Sequence, residues 1–317
     1  MKLFPMSSRK IALHTALFAV TFFTTAVAGA AWMNVDPFEV ANIAVGLPYA
    51  TALLFILATH EFGHYFASRI HGVDATLPFF IPFPTMPGFL NFGTLGAVIR
   101  TQTPVPTKRA MFDIGVAGPI AGFIASIAVL VYGFTHLPGK EFILSIHPDY
   151  FMALKQTGGM ELRFGTSIMY ESLSLLLTNP AKEFVPPMTE MYHYPYLCTG
   201  WFGLFVTAMN LFPIGQLDGG HVSYAMFGTS HKTISRTAFG LLLTIGLMGF
   251  LPAVGFEIHF GWTGWLFWAA MLFFIVKLIH PSVADEEPLD PVRMRIGWLA
   301  WGIFALSFVP SPFSILF

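Results

Sequence analysis

Three ionisable side chains stand where an oily segment ends. In LLFILATHEFGHYFASRIHG, residues 53–72, they are His60, Glu61 and His64. The two histidines are at i and i+4, so a helix sets both on one face, about one turn apart. Two imidazoles so placed can reach one tetrahedral cation at about 2.0–2.1 Å. Glu61 flanks the same face, where it can hold a water beside the ion without being a ligand. His-Glu-x-x-His on a helix is thus a pattern for metal-assisted hydrolysis. The plain alternative is a polar patch at a helix end, its histidines hydrogen-bonded to neighbours. That alternative leaves a carboxylate unexplained in a segment where a charge costs about 2.5–3.5 kcal/mol to insert into a bilayer.

A catalytic zinc takes three protein ligands and keeps a fourth position open, so a third ligand is required. In VTAMNLFPIGQLDGGHVSYAMFG, residues 206–228, Asp218 follows a long apolar run and precedes Gly219 and Gly220. Pro213 and Gly215 loosen the helix before it and free the backbone to turn the carboxylate inward. His221 is a rival ligand one step further into the loop. The Leu-Asp-Gly-Gly sequence could also be no more than a turn that ends a span.

The elements that must carry these residues are set by composition. Hydrophobic residues make up 55% of the 317-residue chain and charged residues 10%, with a mean hydropathy of +0.67. Soluble domains carry about 25% charged residues. The chain reads as an all-α polytopic membrane protein of about six to seven transmembrane helices, in a single domain over 1–317. A net charge of −1 argues against a nucleic-acid partner. One cysteine, Cys198, excludes an intrachain disulfide and a multi-cysteine metal site.

Apolar runs long enough to span lie near 10–32, 43–66, 110–134, 197–217, 237–255, 262–279 and 296–315. The first, with its basic start, could be a signal peptide. Its apolar stretch of about 20 residues exceeds the usual 7–15 of a signal core, and a retained span is expected. Orientation follows the Lys/Arg bias. With a cytoplasmic N-terminus, Lys2, Arg9, Lys10, Arg69, Arg100, Lys108, Arg109, Lys232, Arg236, Lys277, Arg293 and Arg295 all fall inside. The second and fourth spans then both run from outside to inside. His60, His64 and Asp218 therefore arrive at one depth, within the bilayer toward the cytoplasmic side.

HEFGH together with NLFPIGQLDGG, both in apolar spans, resembles the site-2 protease family of intramembrane zinc metalloproteases. The likeness covers roughly residues 43–235, the expected catalytic core, with 1–42 and 236–317 as flanking helices. It implies that His60, His64 and Asp218 bind one Zn2+ and that Glu61 is the general base. It also implies that Asn210, upstream of the aspartate, holds the substrate or oxyanion. An asparagine inside a span is otherwise a helix–helix hydrogen bond. Membrane-protein substrates and the lipid bilayer are the partners implied, and no small-molecule cofactor is evident. The other reading is a non-proteolytic transporter or metal-binding membrane protein using the same residues as an ion path. Polar groups clustered at one depth, with a glutamate beside the ligand set, favour the enzyme.

Three further segments bear on the site. Residues 77–110 are apolar but crowded with Pro and Gly, so they cannot form a regular helix. The alternation in GTLGAVIR, 93–100, predicts an extended pair with an exposed edge, able to accept a substrate strand. The family likeness agrees, implying a small membrane-associated β-hairpin between the second and third spans. Gly115, Gly118 and Gly122 form a small-residue face on the third span that lets it approach the metal-bearing helices. Residues 135–196 are too short for a folded domain of ordinary size, and SIMYESLSLLLT, 167–178, reads as a short amphipathic helix.

Overall fold

The computed structural model describes residues 7–86, 91–153, 161–256, 260–278, 280, 283–285 and 287–316. Helix α1 is Ser8–Trp32, and a tight turn at Val40–Gly46 leads into α2, Leu47–Ile70. Strands β1, Phe79–Pro82, and β2, Thr94–Val98, come next, followed by α3, Lys108–Thr135. The segment after α3 holds α4, Lys140–Ile146, α5, Tyr150–Ala153, strand β3, Glu161–Phe164, and α6, Ile168–Leu177. Helices α7, Pro195–Asn210, and α8, Asp218–Phe227, follow, then α9, His231–Met248, and α10, Gly264–Met271, which widens into a π turn to Val276. Helix α11, Pro291–Ser307, and strand β4, Phe313–Leu316, close the chain.

Among the described residues, Ser8–Trp32, Val40–Ile70 and Lys108–Thr135 are long and apolar enough to cross a membrane. The other four expected segments are helical but shorter. The fourth breaks early: α7 has 16 residues, about 24 Å against a hydrocarbon thickness of about 30 Å. Its helix stops at Asn210 because Pro213 cannot continue the ladder. Gly215 then turns the chain with φ of +56°, an angle that favours glycine.

Helix α3 is the spine. Between α2 and α3 the spacing is set by absent side chains: a Cβ on Gly63 would lie 2.6 Å from the Ala117 carbonyl oxygen. On another face of α3, Gly200 and Gly203 of α7 admit Leu130 and Ser126. In lipid no hydrophobic force separates helix from tail, and close van der Waals packing between small residues does the joining. Met111, Phe112 and Val116 of α3 pack with Leu211, Val222 of α8 and Ile303 of α11 in a buried cluster. That cluster holds the α7–α8 turn against α3. Many large apolar side chains are left outside, Phe55, Phe66, Ile124, Leu241, Phe267 and Phe274 among them. Each would stabilise the fold by about 1.5–3 kcal/mol if removed from water, so this surface suits hydrocarbon.

β1 and β2 form the expected antiparallel pair, with Phe79 opposite Val98 and Phe80 opposite Ala97. β1 is fastened to α1 by ring contacts of His14 with Phe79 and Phe18 with Phe80. A second sheet was not foreshadowed: β3 pairs antiparallel with β4, Phe164 opposite Phe313. The amphipathic helix at 167–178 is α6, capped by Ser167, whose hydroxyl accepts from the Tyr170 N–H. Cys198 is a buried thiol in the main apolar cluster.

At the end expected to face the cytoplasm, α2, α3 and α11 are tied together. His71 donates to Asp113 at 2.8 Å, and Arg293 donates to the same carboxylate at 2.9 and 2.6 Å. Arg293 also bonds Asp290, which caps α11, and those hydrogen bonds hold the Asp290 carboxyl down at about 2.

Candidate metal centre

His60 and His64 project from the fourth and fifth turns of α2, and their Nε2 atoms lie 3.1 Å apart. Asp218, in the first turn of α8, brings Oδ2 to 3.4 Å from His60 Nε2 and 3.3 Å from His64 Nε2. Donors bound at about 2.0–2.1 Å to one tetrahedral ion stand about 3.3–3.4 Å from one another. The three edges of this triangle therefore fit a single ion. Two imidazoles and one carboxylate suit zinc better than calcium or magnesium, which take oxygen ligands.

The chain orients each donor. His64 Nδ1 lies 2.7 Å from the Ile114 carbonyl oxygen on α3. A carbonyl only accepts, so Nδ1 carries the hydrogen and Nε2 turns its lone pair to the centre. Proximity to α3 depends on the glycine face. A Cβ on Gly118 would fall on the His64 ring, and one on Gly122 would lie 3.0 Å from His60 Nδ1. One on Gly115 would lie 3.4 Å from the Asp218 carbonyl oxygen and 2.9 Å from His221 Cβ. The stripe thus abuts both metal-bearing elements. Asp218 reaches the centre because the chain turns sharply from Leu211 to Leu217, and Gly219 and Gly220 sit on the carbonyls of that turn.

Glu61 is buried, as are both histidines. Its Oε1 is 4.0 Å from His60 Nε2, beside the triangle and outside it. The backbone of Ile99, just past β2, hydrogen-bonds its carboxylate, so the hairpin reaches the centre directly. Asn210, the last residue of α7, places its amide nitrogen 3.2 Å from His60 Nε2. His221 is turned elsewhere: its Nδ1 pairs with His280 Nε2 at 2.6 Å. The rival ligand therefore does not join the triangle. The Ile114 carbonyl and the Ile99 N–H have no sequence signature, because any residue supplies the first and any but proline the second.

A family model described as peptidase family M50 matches residues 48–252. Among curated proteins, the chain is 28% identical over 264 residues to a probable zinc metalloprotease EGY2, chloroplastic, of Oryza sativa subsp. indica, covering 82% of this chain and 42% of that one. It is 33% identical over 210 residues to a probable zinc metalloprotease EGY1, chloroplastic, of Oryza sativa subsp. japonica, covering 64% and 32%. A probable zinc metallopeptidase EGY3, chloroplastic, of Arabidopsis thaliana is 28% identical over 235 residues, covering 73% and 39%. The chain therefore spans less than half the length of these relatives. No solved structure matches it.

Proposed function

The chain belongs to peptidase family M50, and from that membership we propose that it is a zinc endopeptidase of membrane-protein substrates, hydrolysing peptide bonds within or near their transmembrane segments. The observation that carries the reading is the triangle of His60, His64 and Asp218, with edges of 3.1, 3.4 and 3.3 Å and a buried glutamate beside it. A transporter's ion path has no need of an acid held just outside the ligand set.

His60, His64 and Asp218 would hold the zinc. When bound, zinc supplies Lewis acidity that brings the pKa of water to about 7 and polarises a carbonyl. Glu61 takes a proton from the attacking water and delivers it to the leaving amine nitrogen as the C–N bond breaks. Such proton transfer is worth about 10²–10⁴-fold in rate. Asn210 donates its amide N–H to the carbonyl oxygen as negative charge develops there. The outer edge of β2 pairs with the substrate in extended form. That exposes its peptide bond, which a helix would keep hydrogen-bonded. Helices α1, α2 and α3 with their shorter neighbours form one membrane domain of six to seven spans. The N-terminus is cytoplasmic and the site lies toward the cytoplasmic side, a placement supported by the Lys/Arg distribution.

The test separates base from ligand. Glu61→Gln removes a proton acceptor and no ligand, so the purified variant keeps wild-type zinc and loses at least 10²-fold in cleavage of a transmembrane reporter segment. Loss of zinc from this variant makes Glu61 a ligand and overturns the assignment.

A further inference from the structure

We propose that His147, Glu190 and His193, in the segment between α3 and α7, form a second site for a divalent transition-metal cation of the zinc class, which fastens that segment to the end of α1.

The three side chains converge from distant points of the chain. His147 follows α4, Glu190 precedes and His193 ends the turn Met191–His193 just before α7, and Trp32 ends α1. His147 Nε2 and His193 Nε2 are 3.0 Å apart, and Glu190 Oε2 lies 3.7 and 3.6 Å from them. These edges bracket the roughly 3.3–3.4 Å expected of donors sharing one tetrahedral ion. His60, His64 and Asp218 likewise offer two imidazoles and one carboxylate, with edges of 3.1, 3.4 and 3.3 Å.

Hydrogen bonding alone accounts for less of the arrangement. His193 Nδ1 lies 2.5 Å from the Trp32 carbonyl oxygen, so Nδ1 is the donor and the neutral ring offers a bare lone pair at Nε2. His147 can donate one N–H to that lone pair. The Glu190 oxygen, at 3.6 and 3.7 Å, is beyond hydrogen-bond reach of either ring yet at the right separation to share a cation with both. The Trp32 carbonyl orients His193 as the Ile114 carbonyl orients His64, and such outer partners fix a metal-binding tautomer.

Two imidazoles and one carboxylate select zinc and its neighbours over calcium or magnesium. The His193 and Glu190 side chains are 4% and 12% exposed, whereas that of His147 is 33% exposed. The ion would therefore enter on the His147 side and keep a position open to solvent. Glu190 is itself one of the three donors, so the role proposed for this site is structural. Occupancy would pin the start of α7, the helix whose far end carries Asn210.

The experiment uses the full chain in detergent, desalted and assayed for zinc per protein, with Co2+ titration read by its ligand-field absorption. In the His60→Ala/His64→Ala background, where the first group cannot hold the ion, Tm should rise on adding Zn2+; adding His147→Ala to that background should remove one equivalent of zinc and abolish the rise. His147→Asp in the same background, which restores an anionic donor but not the ring–ring hydrogen bond, should recover the Zn2+-dependent Tm rise. Zinc content and a Co2+ spectrum left unaltered by adding His147→Ala overturn the site. Should that variant not purify folded, His147→Asp decides alone: a Tm blind to Zn2+ overturns the site. The His60→Ala/His64→Ala background itself should lose one equivalent relative to wild type and keep the other. Failure to lose it bears on the proposed protease and leaves the comparison at His147 intact.

Discussion

At the scale of the residue, the question is why two neighbouring polar groups have different work to do. Asn210 and Glu61 both approach His60 Nε2, at 3.2 and 4.0 Å, and neither completes the triangle of donors. An amide nitrogen carries no lone pair for a cation, so under the proposed function, with the His60 lone pair engaged, Asn210 would be released to face a substrate oxygen. Asn210→Ala should keep its zinc and lower kcat by about 10²–10³-fold, the usual effect of removing one oxyanion donor, with KM little changed. Zinc assay beside steady-state kinetics checks both halves. Zinc lost along with activity makes Asn210 a support for His60 and no more.

At the scale of the element, the centre exists because α2 and α3 approach closely, and that approach depends on missing side chains. A Cβ on Gly118 has no space except that of the His64 ring. Gly118→Ala must part the helices or swing the ligand, and overpacking of this kind costs about 1–3 kcal/mol. Zinc retention should weaken roughly ten-fold or more. Gly240→Ala in α9, where an added Cβ meets nothing within 4 Å, should leave zinc and cleavage unchanged. Competition with a chelator of known affinity reads both. Equal retention by the two variants contradicts the packing account. This stripe was legible in the sequence because small residues three and four apart make one helical face. The hairpin was legible too, from alternation bounded by Pro and Gly. The break after α7 was legible in Pro213 and Gly215, but its position was not: hydropathy runs on to Leu217, whereas the helix ends at Asn210. The pairing of β3 with β4 carried no signal, since each strand is four residues long and its partner lies near the other end of the chain. Glu190 and His193, at i and i+3, left a weak trace, while His147 joins them only through the fold.

At the scale of the molecule, the fold brings together two motifs some 150 residues apart on a scaffold whose outer surface is apolar. Hydropathy and charge bias lead one to expect both motifs at one depth, and the structure places their donor atoms within 3.4 Å of one another. That the two motifs meet was legible because hydropathy and charge bias give both spans the same expected direction. Azimuth was not, because the direction a ligand faces depends on how α3 and α8 pack, here through Gly115 and the buried cluster around Leu211 and Val222. Asp218 is where these requirements meet. It is the proposed ligand that joins the second half of the chain to the first, and an ion held by two histidines alone is undercoordinated. The direct measurement is zinc per protein and reporter cleavage for Asp218→Ala, purified in detergent beside the wild type. The account predicts one equivalent of zinc fewer and no cleavage, with the protein still inserted in the membrane. An Asp218→Ala protein that holds zinc as the wild type does would contradict it.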